Sequence, residues 1–593
     1  MSDNPGALFA AAQTAAQAGR PGEAIAALDR LLAIQPGHLK ALQLRAQFAH
    51  RAGDIALARA LLERAAGKVG RDPEVLRNLG IVRLAAGDAA GAVAALTKAH
   101  TSAPRDPAVA KALAAALIEL GNAAMTRHSI DEACTAFERA AALDPDLPGV
   151  RLNWGNALYR RERYTEAGNV LERIPPHDPS YAESRLTLAG VQIERERFAD
   201  AIATCEAALA GQPNDARLLA NLGVALAKLG EPERAIAAYR RALAIAPAAT
   251  ETLVNLGKAF EQQGDIATAL GTYREALALD PGYQPALDLT GKALLLGGRL
   301  REGWAAYRSR VSMPAEMAAG FFREALPARL DGIPVHVRRD QGLGDEIFFL
   351  RFARVLAERG ARVHYEAGTK IASLVAQLPF LASVFTDGSP PEPCRYRIAA
   401  GDLPYCLDLG DRDFVPSIRL SAGAAADARA AQLLANAGPP PYLGVSWRGG
   451  TRARLSLFKE APLSDLGAAL RGTTATVLVL QREPAPDEIA SFAAAAGGRV
   501  HDLSGLNDDL ETMQAVLARL DEYVAVSNTN VHLRAAAGRT ARVLIPAPEF
   551  RWMAAGDESP WFPGTRLYRR GARNDWRAAL ARLRADLGLP DRF

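Results

Sequence analysis

The N-terminal half of the chain repeats one pattern of apolar and polar positions, which predicts pairs of amphipathic helices. An alanine that opens the second helix of each pair recurs every 34 residues, with one step of 41, at Ala24, Ala58, Ala92, Ala133, Ala167, Ala201, Ala235 and Ala269. Prolines that end the second helix show the same steps, at Pro104, Pro145, Pro179, Pro213, Pro247 and Pro281. Two series with one shared interruption indicate stacked helical hairpins, an α-solenoid.

Glycines mark the turn inside several of these pairs, at Gly53, Gly87, Gly230 and Gly264. Glycine adopts the left-handed backbone of a helix end with little strain, so its position predicts where each first helix stops. The 41-residue step adds seven residues around positions 121–128. We expect these residues to add roughly two turns, shared between the two helices of that hairpin.

These units resemble tetratricopeptide repeats, notably at Leu222-Gly223, at Ala235 with Tyr239, and at Ala242 with Pro247. The resemblance covers Ala7 to Arg310 and implies about nine repeats. We therefore predict a first domain, residues 1–312, that binds protein.

The pattern changes after Arg310 to short β-rich runs that alternate with helical ones. Residues 333–338 predict a strand, residues 340–346 a glycine loop, and residues 347–359 a helix, the opening of an α/β unit. The run Gly-Pro-Pro-Pro at 438–441 divides this region. We predict two α/β lobes with mostly parallel sheets, residues 313–438 and 439–593.

Composition excludes several classes of partner. The chain has 593 residues, with 70 Lys plus Arg against 66 Asp plus Glu, so its formal net charge of +4 gives no strong attraction to nucleic acid. It has no apolar run long enough to predict membrane insertion. Its four cysteines show no metal-binding or disulfide spacing. We expect a cytoplasmic protein that needs no metal or other cofactor.

Asparagines recur on the first helix of the repeats. Asn153, Asn221 and Asn255 share one register position, and Asn78 occupies it before the insertion. A ladder of amides can donate and accept hydrogen bonds along a peptide backbone without reading its side chains. The ladder predicts acceptor binding, a feature in which the chain is similar to superhelical protein O-GlcNAc transferases. The alternative is that these residues cap or solvate the repeats.

Three loops in the C-terminal half combine small, polar and charged residues at the ends of predicted strands. The first holds Gly342, Gly344 and Asp345; the second is residues 446–451, and the third is residues 527–532. A helix N-terminus favours anions, and glycine lets a ligand approach the backbone. The alternatives are a structural glycine turn and, for Asp345, a helix cap. A further pair, Asp411 and Asp413, has metal-ligand spacing in a polar turn.

Together these loops resemble a GT-B glycosyltransferase of the lipopolysaccharide heptosyltransferase type over residues 333–587. The resemblance implies that Asp345 is the base that activates the acceptor, with Glu346 as the alternative. It implies a nucleotide-sugar site formed by Gly342, Gly344, Trp447, Arg448, Lys459, Gln481, Ser527, Asn528, Thr529, Asn530 and His532. Ser527 and Thr529 replace an Asp and a Gly of the family motif. The resemblance therefore does not by itself assign the donor or the activity.

The whole arrangement resembles bacterial flagellin glycosyltransferases with an N-terminal repeat domain. That resemblance implies a metal-independent, inverting transfer of sugar from a nucleotide sugar, CMP-, UDP- or ADP-linked, to Ser or Thr hydroxyls of flagellin. One alternative is a glycan or lipid-linked saccharide as the acceptor. Another is an inactive scaffold that only binds proteins.

Overall fold

The computed structural model describes residues 4–310, 312–313, 318–450, 460–571 and 574–590, apart from the side chain of Val69. The chain divides into two compact units, residues 1–225 and 226–593. This division falls inside one repeat helix, Ala216–Leu229. The final repeats are therefore part of the same compact unit as the C-terminal sheets, and the domain boundaries that we predict at 312 and 438 stay predictions.

Helical hairpins form the first unit. Its helices are α1 (Pro5–Gln17), α2 (Pro21–Ile34), α3 (Leu39–Arg51), α4 (Ile55–Val69), α5 (Pro73–Ala85), α6 (Ala89–Ser102), α7 (Pro107–Thr126), α8 (Ile130–Leu143), α9 (Val150–Arg160), α10 (Tyr164–Leu171), α11 (Tyr181–Glu194) and α12 (Phe198–Gly211). Helix α13 (Ala216–Leu229) crosses the division. Aspartates cap several helices, as where Asp54 and Asp88 accept from the backbone N–H three residues later.

Two sequence expectations about the hairpins can be compared with these bounds. Gly53 and Gly87 have positive φ angles of 80° and 78°, as the turn prediction requires. The seven inserted residues lie in one helix, because α7 has 20 residues and α5 has 13, whereas α8 and α6 both have 14. The expectation that both helices share the insertion was wrong.

The expectation that no apolar run is long enough to span a membrane does not hold for helix α7, which passes that test by length and composition. It packs against α6 and α8 as a repeat helix, with Leu113 and Leu117 in the shared core. This single apolar helix does not indicate membrane insertion.

The second unit continues the repeats and then forms two sheets. Its repeat helices are α14 (Pro232–Ile245), α15 (Thr250–Gln262), α16 (Ile266–Leu279), α17 (Gln284–Leu296) and α18 (Leu300–Tyr307). A four-stranded parallel sheet has the order β3-β2-β1-β4, with β1 (Pro334–Arg338), β2 (Arg362–Glu366), β3 (Leu381–Phe385) and β4 (Tyr396–Ala399). Helices α19 (Leu343–Glu358), α20 (Ala372–Val375), α21 (Leu403–Cys406) and α22 (Ala424–Ala437) accompany it.

A seven-stranded sheet follows, in the order β10-β11-β9-β8-β5-β6-β7. Its strands are β5 (Tyr442–Ser446), β6 (Thr476–Val479), β7 (Val500–Asp502), β8 (Glu522–Val526), β9 (Arg542–Ile545), β10 (Glu558–Ser559) and β11 (Phe562–Arg569). All pairs are parallel except β10 with β11. The accompanying helices are α23 (Leu463–Leu470), α24 (Pro486–Ala496), α25 (Leu510–Arg519), α26 (Thr529–Ala536) and α27 (Arg577–Asp586). The predicted pair of parallel α/β sheets is confirmed; its assignment to the GT-B fold stays a prediction.

Close helix packing at Gly291 gives a testable prediction about stability. A Cβ at this position of α17 would lie 2.8 Å from the backbone nitrogen of Tyr307, and backbone cannot move aside as a side chain can. We expect Gly291→Ala to destabilise the second unit by about 1–3 kcal/mol. Gly271, inside α16, has no atom within 4 Å of such a Cβ, so Gly271→Ala should stabilise by about 0.5–1 kcal/mol. Denaturant titration of both variants tests this contrast.

Candidate functional site

An open cleft in the first unit gathers amide side chains from successive first helices. Its volume is about 610 Å³, and it is lined by Asn122, Met125, Phe137, Asn153, Asn156, Tyr159, Arg160, Glu183, Leu186, Thr187, Gly190, Arg217 and Asn221. We call it the amide cleft. Two of the four predicted ladder residues, Asn153 and Asn221, line it.

Hydrogen bonds between repeats hold these amides and use only part of their capacity. Asn153 Nδ2 donates to Asn122 Oδ1 at 3.4 Å, and Thr187 Oγ1 donates to Asn156 Oδ1 at 2.8 Å. Asn221 Nδ2 donates to the carbonyl oxygen of Leu186 at 3.3 Å. A side-chain amide has two N–H donors and an oxygen acceptor, so each asparagine keeps unused hydrogen-bonding groups for a ligand. The cleft is thus suited to an extended polypeptide backbone.

Sequence reasoning missed Asn122 and Asn156, although their spacing contains the signal. They lie 34 residues apart, one repeat, and Asn156 is one helical turn beyond Asn153. The other two predicted ladder residues are elsewhere. Asn78 does not line the cleft, and its Nδ2 is buried without a partner among the described residues. Asn255 belongs to the second unit, where its Oδ1 accepts from Lys258 Nζ at 3.4 Å.

A second cavity, in the second unit, contains Asp345. It has a volume of about 370 Å³ and is lined by Glu261, Leu289, Lys292, Leu296, Tyr307, Gln341, Asp345, Ser527, Glu549, Phe550, Arg551, Trp552 and residues 545–548. We call it the Asp345 cavity. Its size is within the usual range of small-molecule sites, about 300–1,000 Å³. Helices α15 and α17 of the last repeats supply part of its wall.

Asp345 lies in the first turn of α19, with its side chain 31% exposed. Its carboxylate forms an ion pair with Nη2 of Arg551, whose Nη1 contacts Glu549 Oε1 at 2.6 Å. Burial lowers the pKa of Arg551 to about 10, so the guanidinium stays charged at neutral pH. Arg551 is a functional candidate that sequence reasoning missed. It orients Asp345 and leaves part of that carboxylate accessible from the cavity.

Glu346, the alternative base, has a structural role in this fold. Its side chain is buried, and its Oε1 accepts from the backbone N–H of Gly368 at 2.8 Å. Burial raises its pKa. The residue does not line the Asp345 cavity. Glu346 as the alternative base stays a prediction, although its carboxylate accepts a hydrogen bond from the loop that follows β2.

The structure brings the first and third predicted loops together. A Cβ on Gly344 would lie 3.3 Å from His532 Cδ2 and 3.6 Å from Thr529 Oγ1, so the N-termini of α19 and α26 are neighbours. Ser527 lines the Asp345 cavity. Asn528 caps α26, since its Oδ1 accepts from the backbone N–H of Val531 at 3.1 Å. The N-terminal backbone of both helices is thus placed near the cavity.

Two residues of the third loop, Asn530 and His532, have buried side chains. Asn530 is buried and its Nδ2 donates to the carbonyl oxygen of Leu480 at 3.3 Å. His532 is buried, with its ring 5.3 Å from that of Phe562. The predicted contacts of Asn530 and His532 with a donor stay predictions, although both side chains have internal contacts in this structure.

Residues of the second predicted loop take part in a buried network of hydrogen bonds and an ion pair. Gln481 is fully buried, and its Oε1 accepts from the backbone N–H groups of Trp447 and Arg448 at 3.0 and 2.8 Å. The ring of Trp447 is fully buried and stacks on Phe492 at 5.5 Å. Arg448 Nη1 forms an ion pair with Glu488 at 2.7 Å. These three donor-binding assignments stay predictions, although all three side chains have internal partners in this structure. Lys459 lies outside the described residues.

The two aspartates with metal-ligand spacing accept hydrogen bonds from backbone N–H groups. Asp411 Oδ1 accepts from the backbone N–H of Arg301 at 2.8 Å, and Asp413 Oδ2 accepts from that of Gly410 at 2.7 Å. Within the described ranges, no group of three or more His, Cys, Asp or Glu residues could hold a metal ion. Metal independence itself stays a prediction.

Glu261, which lines the Asp345 cavity, links the stability of the fold to pH. Its Oε1 is buried without a hydrogen-bond partner among the described residues, and burial raises the pKa of the carboxyl to about 7, from 4.5. The groups that face it are Tyr273, Lys258 and Lys292. The folded state therefore binds more protons than the unfolded state between about pH 4.5 and 7, and stability falls as pH rises through that window.

We expect Glu261→Gln to be about as stable as the wild type at pH 5 and more stable than it at pH 8. The amide is neutral at both pH values, like the protonated carboxyl, and avoids the cost of a buried charge. Thermal midpoints of both proteins across this pH range test the prediction. Parallel pH profiles would contradict it.

Comparisons with known proteins agree with the repeat pattern. Family models described as tetratricopeptide repeat match residues 15–79, 124–189, 186–250 and 252–285. No curated protein matches the chain.

The chain is similar to solved structures at low identity. MamA protein is 22% identical, with 28% of this chain and 92% of that one covered and a TM-score of 0.26. YrrB, described as a TPR protein with an unusual peptide-binding site, is 19% identical, with coverages of 33% and 98% and a TM-score of 0.27. A tetratricopeptide repeat protein from Parabacteroides merdae is 16% identical, with coverages of 42% and 97% and a TM-score of 0.27.

The matched segments span residues 15 to 285 and have the period read from the alanine and proline series, so the N-terminal half of the chain is a tetratricopeptide-repeat region, an architecture of protein interaction.

Proposed function

We propose that the protein captures a polypeptide through its repeats and transfers a sugar from a nucleotide sugar to a Ser or Thr hydroxyl of that polypeptide. The observation that carries the proposal is the setting of Asp345. A partly exposed carboxylate, oriented by Arg551, lines a cavity of substrate size beside the N-termini of α19 and α26. An acid so placed can serve as a general base.

The proposed reaction is a single displacement. Asp345 takes the proton of the acceptor hydroxyl while the hydroxyl oxygen bonds to the anomeric carbon of the sugar. The bond from that carbon to the phosphate oxygen breaks, and its electron pair leaves with the nucleotide. Attack opposite the leaving group inverts the anomeric carbon. Arg551 acts as a positioning residue, because its ion pair with Asp345 orients that carboxylate.

The repeats indicate that the acceptor is a polypeptide. The amide cleft offers unspent donors and acceptors at the spacing of successive repeats, which suits a polypeptide backbone better than a small saccharide. Flagellin is the proposed polypeptide, on the resemblance to repeat-bearing flagellin glycosyltransferases. A glycan or lipid-linked acceptor would leave the amide cleft without a use in the reaction.

The experiment is the intact mass of flagellin from source cells with and without this gene. The proposal expects flagellin from cells without the gene to be lighter by one or more sugar masses, and a plasmid copy to restore the mass. An unchanged mass would contradict flagellin as the acceptor. The full-length Asp345→Asn protein could then serve as bait for acceptors, since it keeps the repeats intact.

A second candidate is a repeat-based scaffold without transferase activity. Arg448, Gln481 and Asn530, which the resemblance assigns to the donor, all have internal partners, and Ser527 replaces the acid of the family motif. Donor binding without turnover over any acceptor would favour the scaffold.

The amide cleft gives a prediction about capture. We expect the double variant Asn122→Ala with Asn156→Ala to bind acceptor about tenfold or more weakly, because two backbone-reading amides are lost. Asn78→Ala is the matched control, since Asn78 lies in the ladder register but does not line the cleft. Calorimetry of the full-length proteins with purified flagellin measures the difference. Equal affinities for the double variant and the control would contradict a role of the cleft.

A further inference from the structure

A third cavity, of about 540 Å³, lies at the edge of the seven-stranded sheet where the parallel strands end. It is lined by Pro232, Glu233, Gln262, Gln263, Gly264, Asp265, Ala554, Arg569, Arg570, Gly571 and residues 545–548. Ligands of open α/β sheets bind outside the carboxyl ends of the strands. Residues 545–548 also line the Asp345 cavity, so one short segment separates the two spaces.

Arg570 is the unusual residue of this cavity. It directly follows β11, and its backbone N–H donates to the carbonyl oxygen of Ile545 at 3.0 Å, which fixes it to the sheet edge. Its side chain is half-buried, and burial lowers the pKa of its guanidinium. Among the described residues, none forms a hydrogen bond or an ion pair with that guanidinium. A half-buried cation without a counter-charge is costly unless an anion binds it.

The other charged side chains of the cavity already have hydrogen-bond partners within the protein. The guanidinium of Arg569 donates to the carbonyl oxygens of Gly556, Trp552 and Ala555. Glu233 accepts from Gln263 Nε2 at 3.0 Å, and Asp265 accepts from the side chain and backbone of Thr268. Both carboxylates are exposed, so water screens them more than it screens Arg570. Arg570 is therefore the group that remains for a ligand anion.

The same sheet edge carries the cation that the sequence assigns to phosphate. Strands β5, β8, β9 and β11 are parallel, so Arg448 after β5 and Arg570 after β11 lie at one edge. Arg448 is paired with Glu488. The structure thus gives Arg448 an internal partner and presents a second arginine at the same edge, one without a local sequence motif.

We propose that Arg570 binds a phosphate group, with its guanidinium contacting two phosphate oxygens. Bidentate recognition of phosphate is a property of the planar guanidinium. The inference rests on the proposed function for its ligand, the phosphate of a nucleotide sugar. Inorganic pyrophosphate offers the same chemistry, and the test separates the two.

The test is calorimetric titration of the full-length protein with CMP, UDP, ADP and inorganic pyrophosphate. We expect Arg570→Gln to bind about tenfold or more weakly than the wild type, as the loss of a charge-assisted contact predicts. Arg566→Gln is the matched control on the same strand, where the exposed Arg566 faces Glu558. Without ligand, Arg570→Gln should be at least as stable as the wild type, since an uncompensated charge is removed.

A nucleotide that binds more tightly than pyrophosphate, and that loses affinity in Arg570→Gln alone, supports the donor phosphate. Pyrophosphate as the tightest ligand, with the same loss, supports the anion site and contradicts the nucleotide. Equal affinities for Arg570→Gln and Arg566→Gln, or no binding by the wild type at about 10 mM, would overturn the proposal. Failure of the flagellin experiment beside Arg570-dependent binding would count against the acceptor and leave this site in place.

Discussion

Asp345→Asn is expected to lower the rate of sugar transfer by about 10²- to 10⁴-fold while donor and acceptor still bind. The amide keeps the size of the side chain but cannot take the proton of the acceptor hydroxyl, and general base catalysis contributes about that factor. Flagellin from cells that carry only this variant should then have the mass seen in cells without the gene. Intact mass spectrometry measures it.

The matched control for this variant is Glu358→Gln, an exposed acid near the end of the same helix whose only described ion pair is with Arg354. We expect it to transfer sugar at the wild-type rate. A fully active Asp345→Asn protein would contradict the assignment of the base and leave Glu346 as the alternative, although its carboxylate is buried against Gly368.

Arg310→Leu is expected to have the largest effect on stability, a loss of about 3–5 kcal/mol. Arg310 is buried and forms ion pairs with Asp340 and Asp402, both of which are also buried. Arg323 adds a 2.8 Å contact to Asp402. Removal of Arg310 leaves buried carboxylates without their main partner, which is far more costly than loss of a surface pair.

Denaturant titration of the second unit's fluorescence, from tryptophans such as Trp304 and Trp561, measures this loss. The control is Arg329→Leu, which removes an exposed pair with Asp331 and should leave stability unchanged. Similar midpoints for Arg310→Leu and the control would contradict the account. Arg310 lies just before the boundary predicted at residue 312, and its partners Asp340 and Asp402 lie beyond it. The ion-pair network joins the last repeat helix to the four-stranded sheet.

The repeats could be predicted because their signal is local and periodic. The spacing of alanines, prolines and turn glycines gave the hairpins and the position of the insertion. It could not assign the inserted residues to one helix, since a longer first helix and two slightly longer helices give the same 41-residue step. A search for asparagines at a single register position does not find Asn122 and Asn156. They line the amide cleft because it also includes residues one helical turn away from that position.

The site could be predicted only in part, because ion pairs form between residues far apart in sequence. Asp345 was selected from its glycine loop, but Arg551 lies 206 residues away and has no local motif. Strand β11 has no clear strand pattern in the sequence, because Pro563 and Gly564 disfavour a strand at its start. The residues after β5 have the sequence pattern of a ligand-binding loop. Only the fold shows that Gln481 accepts a hydrogen bond from the backbone of Trp447 and that Glu488 forms an ion pair with Arg448.

The most direct test of the central claim is a reaction with purified components. Full-length protein is mixed with flagellin from cells that lack the gene and with each candidate nucleotide sugar, and the flagellin mass is measured over time. We predict a sugar-sized increase with one donor, inversion at the anomeric carbon, and no increase with Asp345→Asn. A stable complex of flagellin and protein with no mass increase for any donor, although flagellin from wild-type cells is heavier, would contradict transfer by this chain and leave a capture scaffold.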